Sequence, residues 1–148
     1  MADLRELYQE IILDHNKSPR NFCKIDEPNR QAEGFNPLCG DHYSVFVKVV
    51  DDTIQEVSFE GSGCAISKAA ASMMTSAVKG KSTTEAEAAF ENYRKMITGE
   101  KGYNKDALGK LMVFSEVCNY PTRIKCAILC WHTLHAALNQ LQEPVTTE

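Results

Sequence analysis

The sequence predicts an α+β fold, a small antiparallel three-stranded sheet packed with five to six helices. Three observations carry that prediction. Stretches rich in Val, Ile, Phe and Tyr are confined to residues 30–60. From Ala65 onward, helical spacing of apolar residues takes over, so strands come first and most helices later. The chain has 148 residues, 43% of them apolar, which matches one domain with one core that needs no disulfide staples. Residues 1–148 therefore read as a single domain without internal repeats.

Each element has a local reason. Asp3-Leu4-Arg5-Glu6 reads as a helix start, a capping acid with a Glu three residues on. Leu4, Leu7, Tyr8, Ile11 and Ile12 follow at helical spacing, and the helix should end near His15, before Asn16-Lys17-Ser18-Pro19. Residues 16–29 read as a loop and Arg30 to Phe35 as a short strand. Tyr43 to Val50 and Thr53 to Glu60 flank Asp51-Asp52, a two-residue turn, and together predict an antiparallel hairpin. Gly61-Ser62-Gly63 should then break the sheet. Ala65 to Lys79 places Ile66, Ala69, Ala70, Met73 and Ala77 on one helical face, with Gly80 as the stop. Ser82 to Glu87 holds overlapping Ser/Thr-x-x-Glu caps, and the helix that follows carries Phe90, Tyr93 and Ile97 before Gly99. Asp106 to Val117 reads as one broken helix or two short ones. Pro121 suits the first turn of a last helix. Its apolar stripe is Ile124, Ala127, Trp131, Leu134, Leu138 and Leu141. The tail after Glu143 is expected to be disordered.

Charge and composition exclude several classes. A net charge of −4 argues against a general nucleic-acid binder, which needs a basic face. No apolar run approaches the ~18 residues of a membrane span. The N-terminus lacks the basic-then-apolar pattern of a signal segment. These features predict a soluble, cytoplasmic protein whose six cysteines are reduced.

Three cysteines sit in settings that suit a thiolate. Cys39 lies in Asn36-Pro37-Leu38-Cys39-Gly40-Asp41, a turn with an acid two residues on. Cys64 follows Gly61-Ser62-Gly63 and precedes a helix, whose dipole favours a thiolate. Cys126 lies in the second turn of the last helix beside Arg123 and Lys125, cations that lower a thiol pKa or else form a solvated helix face. Three thiols and the Asp41 carboxylate suit a four-coordinate site for zinc. None of them shares a CxxC spacing, so such a site depends on tertiary structure. Taken alone, Asp41 is more often an ordinary hairpin-entry acid. Cys23, Cys118 and Cys130 read as core residues. His132 and His135 lack the HExxH pattern and read as exposed; His42 is the better outside ligand candidate.

The three cysteine segments together resemble the SufU/IscU (NifU N-terminal-like) family of iron–sulfur cluster assembly proteins. The motifs are Pro-x-Cys-Gly-Asp, Gly-x-Gly-Cys-Ala-Ile-Ser and Arg-x-Lys-Cys-Ala-x-Leu-x-Trp, in this order, and the resemblance covers nearly the whole chain. Two features resemble the SufU branch: Lys125 stands where the IscU scaffold branch has a histidine ligand, and residues 81–101 look like its helical insertion. Cys130 departs from the small apolar residue expected at its position. The resemblance implies a SufE/NifU-like fold and zinc held by Cys39, Asp41, Cys64 and Cys126. It implies that Cys39 accepts persulfide sulfur from a SufS-type cysteine desulfurase and that the sulfur passes to a SufB-containing scaffold. The desulfurase would take over the zinc with its own histidine, freeing the acceptor thiol. Such a protein is a sulfurtransferase-like relay rather than a conventional enzyme.

Two other readings stand beside it. The same thiols can carry a transient [2Fe–2S] cluster, with Cys130 or His42 completing the ligand set, or the chain can be a structural zinc module. Lys125 favours sulfur transfer over the scaffold, and the mobile, Gly-flanked ligands favour either over the structural module. A cysteine hydrolase is more distant, because no histidine has a motif that pairs it with a Cys nucleophile.

Overall fold

The computed structural model describes residues 4–141 and 143–147. Asp3 and the side chains of Leu4, Leu7 and Tyr8, predicted to start and face the first helix, lie outside the described residues. Helix α1 spans Leu4–Lys17. Three strands follow, β1 (Arg30–Asn36), β2 (Asp41–Val50) and β3 (Thr53–Ser62). Helices α2 (Ala65–Val78), α3 (Thr83–Ile97) and α4 (Lys105–Leu108) lead into a 3₁₀ run, Gly109–Asn119. Helix α5 spans Pro121–Leu138, and a short β4 covers Val145–Thr146.

The β2–β3 hairpin turns at Asp51 and Asp52, whose φ values of 51° and 62° are the left-handed pair a tight hairpin needs. Its register runs from Val50 opposite Thr53 to His42 opposite Ser62, with a bulge at Lys48/Val49. β1 pairs antiparallel with β2, from Arg30 opposite Val47 to Asn36 opposite Asp41. Two expectations are corrected here. The sheet has four strands in the order β3-β2-β1-β4, because Val145 pairs in parallel with Gly34 instead of lying in a disordered tail. The strand β3 also runs through Gly61 to Ser62, so the sheet yields only at Gly63.

Alternation on the strands turns Tyr43, Val45, Val47, Val57 and Phe59 inward, all at most 2% exposed. They meet α2 and α5. Helix α2 is buried on most sides, and Ala69, Ala70 and Ala71 let its neighbours approach closely. Gly34 does the same for β1: a Cβ there would run into Thr133 Oγ1 and come within 3.1 Å of Leu129 Cδ1 on α5. Trp131 stacks on Tyr93 at 4.9 Å, and the Tyr93 hydroxyl donates to the Ala127 carbonyl at 2.8 Å. This fixes α3, which begins with a Ser82/Glu85 capping box, against α5. Leu141, expected on the stripe of α5, lies beyond its end and is 54% exposed. Among the described residues, no helix is long and apolar enough to cross a membrane.

Candidate metal centre

The β1–β2 turn and the N-terminal ends of α2 and α5 meet at one end of the central strands. Asp41 is the hub. It opens β2, is 2% exposed, and has both carboxylate oxygens engaged. Oδ1 accepts the Cys64 backbone N–H at 2.8 Å and the Ser67 hydroxyl at 3.1 Å. Oδ2 accepts the amide of Asn36, the last residue of β1, at 3.0 Å. The same amide lies 3.5 Å from Cys126 Sγ on α5. Gly63 makes the approach possible, since a Cβ there would collide with Asp41 Oδ1 and lie 2.6 Å from Ser67 Oγ and 2.7 Å from the Tyr43 hydroxyl. Tyr43 OH and Ser67 Oγ are 3.0 Å apart. Burial raises the Tyr43 pKa, which keeps the phenol protonated as a donor.

Cys39, Asp41 and Cys126 come together: their ligand atoms all lie within 4.8 Å of one another. Cys126 is fully buried and Cys39 is exposed on the turn, with 3.3 Å between the sulfurs. Cys64 falls outside that tight group. It caps α2, where its sulfur accepts the Ser67 backbone N–H at 3.4 Å. The neighbouring Cys126 thiol is the main reason the Cys64 pKa falls to about 6. The corresponding effect of Cys64 on Cys126, together with burial and the hydrogen bond to Cys39, pushes its pKa up. This reverses the sequence expectation for Cys126. Arg123 is exposed and Lys125 half-buried, and neither is among the groups that shift the thiol. The adjoining Cys64 thiol and burial set the direction instead.

The other candidates turn away. His42 follows Asp41 on a strand and so points to the opposite face, where its ring stacks on Phe35 at 4.2 Å. Cys130 is fully buried within the apolar cluster. His135 bonds Glu87 at 2.6 Å, and His132 packs edge-on to Phe90. Cys23 is exposed and Cys118 half-buried, so neither is the core residue expected. Asn36, Ser67 and Tyr43 were missed as site residues. Asn36 stood inside the quoted motif, and its pairing opposite Asp41 across a short turn is the signal that identifies it.

Two sulfurs and a carboxylate oxygen this close, with a third thiol on the adjoining helix cap, suit a soft or borderline divalent ion. Asp41 and Cys126 are held from behind by Asn36, the outer-shell support that ligand groups need. Bound zinc would keep the thiolates deprotonated without redox chemistry of its own.

Residues 7–127 match the family model for the NifU-like N-terminal domain. The chain is 36% identical over 140 residues to the iron–sulfur cluster assembly scaffold protein IscU of Streptococcus pyogenes serotype M1, covering 95% of this chain and 87% of that one. It is 38% identical over 133 residues to the zinc-dependent sulfurtransferase SufU of Bacillus subtilis strain 168, covering 90% of each. A crystal structure of a Fervidobacterium islandicum AW-1 protein, assigned to iron–sulfur cluster scaffolding for the SUF system, superposes with a TM-score of 0.85 at 36% identity. That match covers 92% of this chain and 99% of the other.

Proposed function

We propose that this chain, which belongs to the NifU-like N-terminal domain family, is a zinc-dependent sulfur acceptor in iron–sulfur cluster assembly. In this reading Cys39, Asp41, Cys64 and Cys126 hold the metal. Cys39 accepts sulfane sulfur from a SufS-type cysteine desulfurase and passes it to a SufB-containing scaffold. One observation supports this above the others: of the three groups that meet, only Cys39 is exposed, while Asp41 and Cys126 are buried. A donor can therefore reach Cys39 Sγ and leave the other two in place. The sulfur transfer itself is thiol exchange. The Cys39 thiolate attacks the terminal sulfur of the donor persulfide, and the donor thiolate departs.

The experiment is to incubate the zinc-loaded protein with a cysteine desulfurase and isotopically labelled cysteine, then map the label by mass spectrometry. The expected result is persulfide on Cys39, lost in Cys39→Ser, together with faster desulfurase turnover. Label confined to another cysteine, or no stimulation, overturns the reading.

A second reading, assembly of a [2Fe–2S] cluster on the same four groups, is favoured by the scaffold name of the Streptococcus relative. Elemental analysis of anaerobically purified protein separates the two. Zinc without acid-labile sulfide supports sulfur transfer; iron with stoichiometric sulfide supports the scaffold.

A further inference from the structure

Cys126 Sγ lies 3.3 Å from Cys39 Sγ, inside the ~3–3.5 Å at which reacting atoms are poised for attack. The two settings are unequal. Cys126 is fully buried, and Cys39 is exposed on the β1–β2 turn. A sulfane sulfur added to Cys39 extends toward solvent, so Cys126 faces the inner sulfur with the outer sulfur as the leaving group. Thiol exchange at a sulfur–sulfur bond runs along that line. No other thiol is so placed. Cys64 lies outside the tight group and is tied to the Ser67 N–H, and Cys130 is enclosed in the apolar core.

We propose that a Cys39 persulfide that is not handed on is cleaved from within by Cys126, which releases sulfide and leaves a Cys39–Cys126 disulfide. The inference rests on Cys39 being the sulfur acceptor. The step balances without an external oxidant. The Cys126 S–H bond and the bond between Cys39 Sγ and its outer sulfur break, and the Cys39–Cys126 bond forms. The outer sulfur takes the bonding pair and both hydrogens and leaves as H₂S. The two cysteines are oxidised as the sulfane sulfur is reduced. A dithiol reductant of the thioredoxin class returns the disulfide to two thiols.

Metal occupancy decides between the two fates. While Cys126 is a ligand its sulfur is committed and the persulfide on Cys39 persists for transfer; once the metal leaves, the same pair becomes a source of free sulfide.

The test loads the zinc protein anaerobically with inorganic polysulfide, removes the excess and adds a zinc chelator. Released sulfide is measured and cross-links are mapped under non-reducing conditions. The expected result is a persulfide stable before chelation. After it, sulfide should appear in equal amount to a Cys39–Cys126 cross-link, and Cys126→Ser should lose that release and keep the persulfide. Persulfide that survives chelation in the wild type overturns the proposal. So does sulfide without that cross-link, or a cross-link from Cys39 to Cys64 or Cys130. If Cys126→Ser does not fold, the wild-type stoichiometry decides the matter. Polysulfide loads Cys39 without a desulfurase, so failure of the acceptor reading registers separately, as absence of desulfurase-derived sulfur on that residue.

Discussion

Replacing Gly63 by Ala adds one methyl group where three polar atoms already converge. The new Cβ would overlap Asp41 Oδ1 and sit 2.6 Å from Ser67 Oγ and 2.7 Å from Tyr43 OH. Ends of flexible side chains usually give way, but these cannot. Tyr43 and Ser67 are fully buried, Asp41 is 2% exposed, and each is held by hydrogen bonds to the others or to the backbone of Cys64. The yielding group is the carboxylate, the nearest atom to the new Cβ, which then loses the Cys64 N–H or the Ser67 hydroxyl. A charge-assisted hydrogen bond lost from a buried carboxylate costs about 1.5–3 kcal/mol, and overpacking adds about 1–3 kcal/mol. Relief of part of the clash by backbone shift leaves an expected loss of about 2–5 kcal/mol. At about 2–4 °C per kcal/mol for a chain of this size, the melting temperature of metal-free protein should fall by roughly 5–20 °C. Urea unfolding followed by circular dichroism measures the free energy directly, and a metal titration follows the site. A Gly63→Ala protein within about 0.5 kcal/mol of wild type, the range of a neutral surface change, would refute the reasoning. It would mean that the carboxylate is not pinned where the structure has it.

Two further outcomes follow from the same packing. Asn36→Ala removes the amide shared by Asp41 Oδ2 and Cys126 Sγ, and zinc affinity should fall about 10–100-fold, as for other outer-shell partners; unchanged affinity in a competitive chelator titration would show that the amide supports neither ligand. His15, whose Nδ1 lies 2.7 Å from Ser72 Oγ, has its pKa held below the usual 6.5, chiefly by burial and then by Arg20. The unfolded chain therefore binds the proton more readily, so this contribution to stability is complete above about pH 6.5 and is lost as pH falls through the folded value. Melting temperatures between about pH 7 and 5 should drop less steeply in His15→Gln than in wild type; parallel curves would contradict this.

Much of the fold was legible because its signals are local. Asp51-Asp52 between two β-rich runs marked the hairpin, and the Ser82/Glu85 pair marked the start of α3. The strand β4 was not legible. Two residues that add to a sheet edge have no periodicity to read, and their partner, Gly34, is more than a hundred residues away in the chain. The 3₁₀ run at Gly109–Asn119 differs from a broken α-helix in hydrogen bonding, not in composition, and the sequence reading allowed for a broken helix there. At the site, the sequence singled out Cys39, Asp41, Cys64 and Cys126; the fold brings Cys39, Asp41 and Cys126 together and leaves Cys64 outside that tight group. It misjudged His42 because the strand was begun at Tyr43. Once β2 starts at Asp41, strict alternation places the two neighbours on opposite faces. Electrostatics were harder still. The pKa of Cys126 depends on which thiols lie beside it in space, and cations nearby in the sequence do not report that.

The hydrogen bonds also explain why the three thiols are not equivalent. Cys64 is fixed by its place at the cap of α2 and by the Ser67 N–H; Cys126 is fixed by the body of α5 and receives the Asn36 amide. Among the described residues, Cys39 Sγ receives no N–H donor, and its hydrogen-bond partner is the Cys126 thiol. That thiol loses its proton when it binds a metal. A metal-bound thiolate that accepts N–H bonds has part of its charge neutralised and is the weaker nucleophile; one that accepts none keeps its charge. Gly40, at φ 72°, lets the turn carrying Cys39 reverse tightly between β1 and β2. Cys39 Sγ therefore sits on an exposed turn, while Asp41, Ser67 and Tyr43 are joined by hydrogen bonds within the core. If Cys39 is the sulfur acceptor, as proposed, exchange there can proceed without disturbing that network, which is the physical condition for a sulfur carrier that must give up one ligand and keep its fold.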